Sequence, residues 1–256
     1  MAEVQIDLLL LLLLFGTGLV AGAVDAIAGG GGLIALPVLL STGLSPVQAL
    51  ATNKLQGSFG TFSSSLFFIR KKQVDLKQAA FMIACTLIGS MLGTLLVQMI
   101  DLSFLTALIP ILLILVALYF LFTPNLREEQ ARHRISSALF GATVGFGGGF
   151  YDGFFGPGTG SFFLIGFVTL LGYGLIKATA HTKILNFASN IGSLALFIVG
   201  GHVVWTLGLT MALGQFIGGR LGAHLAFRKG AKIIRPLIVI VTLSISLKLL
   251  YGYWFS

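Results

Sequence analysis

Of 256 residues, 56% are hydrophobic and only 9% are charged, against about 25% charged in a soluble domain. Eight acids and sixteen Lys and Arg cannot coat a water-facing surface, so a soluble globular fold is excluded and most of the surface must face lipid. The formal charge of +8 does not point to a nucleic-acid partner, because twelve of the sixteen bases stand in short loops between apolar runs, where they orient a membrane protein.

The acidic start, with Glu3 and Asp7, runs directly into Leu8–Leu14. It has neither the basic start nor the small-residue cleavage site of a signal peptide, so it reads as a retained first span. Apolar runs follow at 7–27, 31–42, 47–69, 78–99, 103–122, 135–155, 159–172, 178–200, 203–226 and 233–254. A bilayer core needs about 20 helical residues, a length that 31–42 and 159–172 do not reach. Each of these two follows a glycine cluster, Gly29-Gly-Gly-Gly32 and Gly156-Pro-Gly-Thr-Gly160. They read as broken helices with unwound entries, which must be shielded inside the bundle because lipid does not tolerate irregular backbone. The third run opens on Ser45-Pro46-x-Gln48, a helix start with a cap and proline at the first position. Cys85 lies inside an apolar run and, being alone, excludes a disulfide framework and a thiolate metal cluster.

The chain repeats itself at a period of 125 to 129 residues. Asp25-Ala-Ile-Ala-Gly-Gly-Gly resembles Asp152-Gly-Phe-Phe-Gly-Pro-Gly, Ala49-Leu-Ala-Thr-Asn-Lys54 resembles Ala178-Thr-Ala-His-Thr-Lys183, and Gly89-x-x-x-Gly93 matches Gly214-x-x-x-Gly218. If all ten runs cross, the basic clusters at 70–77, 127–134, 177 and 228–235 share one face, and Glu3, Asp7 and Asp101 share the other. Five crossings per half force the halves into opposite orientations, with both termini outside. The fold class expected is therefore an all-α polytopic membrane protein of two inverted repeats. Residues 1–124 form the first repeat, 125–134 a basic cytoplasmic linker and 135–256 the second repeat. Such duplication is common in secondary transporters.

Ionisable groups at membrane depth are costly and are functional candidates by default. Lys54 stands about 12 Å into its helix by helical rise, and Lys183 holds the matching depth in the other half, entered from the opposite face. Snorkelling to an interface is the alternative for both. Lys183, Asn186, Asn190 and Ser193 share one helix face, and the same positions in the first half are Lys54, Gly57, Thr61 and Ser64. Interhelical hydrogen bonding would also account for such a stripe. Asp25 and Asp152 close long helices just before the breaks; each is placed to pair with a lysine, to carry a coupling proton or to cap the next helix. The breaks expose backbone N–H groups at helix starts, where the dipole favours anions. Asn53, Gly30, Gly31, Gly158 and His181 complete the candidate binding set, with Asp25 and Asp152 as coupling or gating groups. His133, His202 and His224 form no metal spacing, and no cofactor is expected. No Gly-x-Ser-x-Gly elbow, nucleotide-binding Gly-Lys-Ser/Thr loop or His-Glu-x-x-His is present, so the reading is not an enzyme. The Gly-x-x-x-Gly motifs are packing motifs that would also serve a homodimer.

The two breaks and the two lysine motifs, with Pro37 and Tyr151-Asp-Gly-Phe-Phe-Gly-Pro-Gly-Thr-Gly160, resemble the sulfite exporter TauE/SafE family. The stretch Lys177–Lys183, with Asn186, Ser189, Asn190 and Gly192, is similar to its YfcA-like branch. The resemblance implies a multi-pass permease of the bacterial inner membrane for small anions, often sulfur oxyanions or organosulfonates. The expectation is an alternating-access carrier for sulfite, a sulfonate or a similar carboxylate. An anion channel fits the deep cations equally. An intramembrane enzyme has Asp25 and Asp152 as its only acid pair, and they would lie near opposite faces.

Overall fold

The structure is a computed structural model that describes residues 7–122 and 133–229; the run at 233–254, most of the 125–134 linker and the bases at 127, 132, 232 and 235 lie outside these residues. Among the described residues there is no strand. The helices are α1 (Leu8–Ala28), α2 (Gly31–Ser41), α3 (Pro46–Arg70), α4 (Leu76–Met99) and α5 (Leu102–Phe122) in the first half. The second half has α6 (Ser137–Phe140), a π-helical turn (Gly141–Gly145), α7 (Phe146–Phe154), α8 (Thr159–Thr169), α9 (Leu175–Val199) and α10 (Trp205–Lys229). Four of them, α1, α4, α5 and α9, carry stretches long and apolar enough to cross a membrane. Their outer faces expose Leu8, Leu12, Leu95, Met99, Leu115 and Val199, as a lipid-facing surface requires.

Local chemistry sets the helix ends. Ser45 and Gln48 cap α3 reciprocally, with Pro46 at its first position. Asp7 and Asp75 accept N–H bonds at the starts of α1 and α4. Gly29 ends α1 in the left-handed conformation (φ 76°), which only glycine adopts freely. The chain then folds back: a methyl group placed on Gly31 would lie 2.5 Å from the Ala21 carbonyl oxygen and 2.6 Å from Asp25 Cβ. The chain thus reverses at the Gly29–Gly30 break, and the start of α2 lies against the end of α1.

Small residues let helices from different halves meet at backbone distance. In α1 and α10, methyls on Gly18 and Gly22 would lie 2.2 and 2.6 Å from the carbonyl oxygens of Met211 and Gln215, and methyls on Gly218 and Gly222 2.0 and 2.3 Å from those of Leu19 and Ala23. In α4 and α7, methyls on Gly89 and Gly93 would lie 2.2 and 2.0 Å from the carbonyl oxygens of Phe146 and Phe150. These matched contacts equate Gly89 and Gly93 with Gly218 and Gly222, not with Gly214 and Gly218 as the motif alone suggests. Three glycines at four-residue intervals make the two registers look alike in sequence; the packing selects an offset of 129, the same offset as Lys54 to Lys183.

Contacts also give direction. α1 and α10 ascend together, as do α3 and α10, from the Thr52 hydroxyl on the Val204 N–H to the edge-on rings of Phe67 and His224. α4 ascends with α7 and with α9, where Gly192 meets Ser90 and Gly200 meets Gln98. The short turn between α3 and α4 reverses the chain, so the two sets run oppositely. The equivalent helices α3 and α9 are accordingly antiparallel: Gly57 meets Asn190 while Phe62 meets Phe187. Among the described residues, these equivalent helices of the two halves run oppositely and interlock.

The basic segments gather at one end. Val74, Ile135 and Tyr173 pack on one apolar cluster, Val74 and Phe227 on another, and the Arg134 N–H donates to the Leu170 carbonyl. At the other end Leu44, Leu105 and Val203 share a cluster near Asp7 and Asp101.

Candidate functional site

The polar stripes of α3 and α9 face each other at the centre. Thr61 and Asn190, equivalent positions of the two halves, meet there with Asn190 Nδ2 3.5 Å from Thr61 Oγ1.

Around this point the charges are exchanged. Lys54 Nζ lies 2.8 Å from Asp152 Oδ2, and Lys183 Nζ lies 3.0 Å from Asp25 Oδ2. Lys183 also donates to the Asp25 backbone carbonyl, which accepts the Gly29 N–H at 2.8 Å as well, where α1 ends. Each lysine pairs with the aspartate of the opposite half, and each pair pins a broken-helix end to a long helix of the other repeat. Both lysines are buried, as is Asp152, whereas the Asp25 side chain keeps 18% of its exposure. Of the roles open to the two aspartates, pairing with a lysine is the one seen, and the site holds two lysines and two aspartates as two cross-half pairs.

The breaks come together beside it. The α1 end packs on the α8 start, with a methyl on Gly29 falling 2.5 Å from the Gly160 carbonyl carbon, and Ser161 Oγ donates to the Ala28 carbonyl at 2.6 Å. The Tyr151 hydroxyl donates to the Pro157 carbonyl at 2.7 Å and ties down the second break. Gly156 (φ 101°) brings its backbone under Lys54; a methyl there would sit 2.9 Å from Lys54 Nζ. The N-caps of α2 and α8, Gly30 and Gly158, offer no side-chain acceptor to the first-turn N–H groups. Two uncapped helix starts, each with the positive end of its dipole, converge on one place.

That place is a cavity of about 40 Å³, room for about three waters. It is lined by Asp25, Gly31, Asn53, Lys54, Asp152, Gly158, Asn186 and Asn190 among the sequence candidates. Three candidates fall outside it. Gly30 acts as the N-cap of α2. Lys183 is buried behind Asp25 and reaches the cavity only through that carboxylate. His181 points away, since residues two apart on a helix do not face each other; its Nδ1 bonds to the Lys177 carbonyl at 2.8 Å and its ring packs on Phe167 and Tyr173. The cavity adds Gln56, Thr159 and Gln215, which the stripes did not single out. Gln215 follows Gly214 in a packing motif, and Gln56 donates to Asn53 at 2.6 Å; buried glutamines in a membrane helix were the available signal. Asp25 and Asp152 line one cavity, so they do not lie near opposite faces: the fold-back of each broken helix carries its aspartate to the centre.

Buried acceptors remain to be satisfied. Asn186 Oδ1 and Gln56 Oε1 have no protein partner among the described residues, and buried amides of this kind pair with a ligand or ordered water. Among those residues no group of three metal-ligating side chains occurs.

An interlocked, inverted helical bundle with a buried polar centre is the plan of a membrane transporter. The chain belongs to the sulfite exporter TauE/SafE family, whose sequence profile matches residues 14–249. It is 51% identical over 243 residues to "Probable membrane transporter protein YfcA" of Escherichia coli K12, covering 95% of this chain and 90% of that one. It is 48% identical over 254 residues to a "Probable membrane transporter protein" of Haemophilus influenzae, covering 99% of each. A relative from Bacillus subtilis, "Probable membrane transporter protein YunE", is 28% identical over 264 residues, 93% of this chain and 97% of its own. No solved structure matches.

Proposed function

We propose that the protein is an alternating-access carrier for a small anion, sulfite or a related sulfonate or carboxylate, in a bacterial inner membrane. The observation that carries this reading is the convergence of two uncapped helix starts, α2 and α8, on a cavity shared by a buried lysine and five amide side chains. Helix starts bind anions through unpaired N–H groups and the dipole, and amides supply further donors by rotating. Because Lys54 and Lys183 are already paired, the anion binds by competing with Asp152 and Asp25, which act as gating counter-ions. Protonating or displacing an aspartate frees its lysine for the substrate and also releases the cross-link between the halves. The basic face is cytoplasmic by the positive-inside rule, which sets the N-terminus on the periplasmic side.

Anion flux into proteoliposomes tests the reading. Saturation and counterflow are expected, and an imposed proton gradient should change the rate. Single-channel currents would replace the carrier with a channel. Unchanged flux in Lys54→Ala and Lys183→Ala proteins would remove the site assignment.

A further inference from the structure

The lipid-facing side of α10 carries a feature that the central cavity does not use. Arg220, His224 and Arg228 stand at i, i+4 and i+8, one stripe on the helix surface, and all three are exposed. Arg220 lies five residues beyond Gln215, about 7 Å from the level of the cavity by helical rise, and the stripe climbs from there to the basic face. Beside it, between α3 and α10, runs a crevice of about 320 Å³ whose remaining wall is Phe67, Phe216, Ile217 and Leu221. Lys71 Nζ sits 5.9 Å above the Phe227 ring next to the stripe. Among the described residues the ion pairs are the two central ones, so no described carboxylate answers these bases.

The other half has nothing comparable. At the offset of 129, Arg220, His224 and Arg228 correspond to Met91, Leu95 and Met99. The stripe is therefore not a requirement of the interlocked packing, which both halves share. Snorkelling accounts for a base near a helix end, as Arg228 is, but Arg220 is two turns deeper and borders an apolar slot. We propose that this crevice binds one anionic phospholipid, its acyl chain against Phe216, Ile217 and Leu221 and its phosphate on Arg220 and His224. A phosphodiester supplies the missing negative charge, and basic pockets between helices at the positive face of a membrane protein suit such headgroups.

The test uses the full chain purified in a neutral detergent, with native mass spectrometry and thermal unfolding read after adding phosphatidylglycerol, phosphatidylcholine or inorganic phosphate. Phosphatidylglycerol alone is expected to stay bound and to raise the midpoint by several degrees. Arg220→Gln/His224→Gln should weaken that binding by roughly tenfold, while Lys177→Gln, on the same face but away from the crevice, should leave it unchanged. Ile217→Trp keeps the bases and fills the slot, and it should reduce binding as well. Equal retention of phosphatidylcholine, equal stabilisation by inorganic phosphate, or undiminished phosphatidylglycerol binding in Arg220→Gln/His224→Gln would each overturn the proposal.

Discussion

The first half brings Asp25, Lys54, Asn53 and Gln56 to the centre, and the second brings Asp152, Lys183, Asn186, Asn190 and Gln215. The charged residues occupy equivalent positions, but the amides do not. Asn186 and Asn190 stand where the first half has Gly57 and Thr61, Asn53 and Gln56 where the second has Thr182 and Leu185, and Gln215 where the first has Thr86. Inverted halves exchange roles when a carrier turns from one face to the other, so a function needed in both states must be present twice. On the proposed carrier reading, the Lys–Asp pairs meet that condition and are assigned to the switching step. The amides are single copies, and they fit the recognition of one solute in one orientation.

The comparison breaks first at the sealed pair. Lys54→Ala leaves Asp152 buried without its partner, which costs about 3–5 kcal/mol when a buried pair loses one member. A large drop in the unfolding midpoint is expected, with loss of flux. Lys54→Ala/Asp152→Ala should recover much of the midpoint and none of the flux. A double variant that transports normally would separate the pair from function. Lys183→Ala should show the same pattern with a smaller loss, because Asp25 keeps 18% of its side-chain exposure against 7% for Asp152 and water screens the carboxylate left behind. Equal losses for the two lysines would mean that the asymmetry between the pairs carries no energy.

Much of this was legible in the sequence, and the exceptions have physical causes. The breaks show because glycine clusters interrupt otherwise lipid-compatible runs, and the inversion shows because loop charge is exchanged between matching segments. The partnering of the lysines does not show: Lys54 and Asp152 are 98 residues apart, and a repeat suggests pairing within a unit as readily as between units. The α4/α10 register was ambiguous because glycines recur every four residues from Gly214 to Gly222. His181 stands two residues before Lys183 in sequence, and the helical period turns it to the opposite side. Gln215 was hidden because its neighbours make it look like part of a packing seam, yet that seam is what carries its amide between Gly22 and Gly60 into the cavity.

A middle-sized effect sharpens the contrast between charges and amides. Asn190→Ala removes the contact with Thr61 and a single-copy amide, while both Lys–Asp pairs stay in place. Stability should fall by about 0.5–1.5 kcal/mol, the net worth of one hydrogen bond, and the substrate concentration for half-maximal flux should rise while the maximal rate changes little. Thr61→Ala, the equivalent position, should disturb the same contact with a smaller effect on affinity. A fall in maximal rate with unchanged affinity would place Asn190 with the switching groups instead.

The smallest effect concerns the exchanged turns rather than the centre. Asp101 caps α5 on the acidic face, accepting from the Ser103 hydroxyl and, at 2.8 Å, from the Ser103 N–H; in the other half Arg228 and Lys229 stand immediately before the matching position, 230. The Ser103 hydroxyl bond, and after it the backbone bond, hold the Asp101 carboxyl below its ordinary value of 3.8. A lowered folded-state value means that the stabilisation is present in full above about pH 4 and is lost as the pH falls through the folded value. Asp101→Asn keeps a cap acceptor and removes the charge. The midpoint of the natural protein should therefore exceed that of Asp101→Asn slightly at neutral pH, and the gap should close on acidification. A gap that persists unchanged at low pH would show that cap geometry, not charge, ties down this turn.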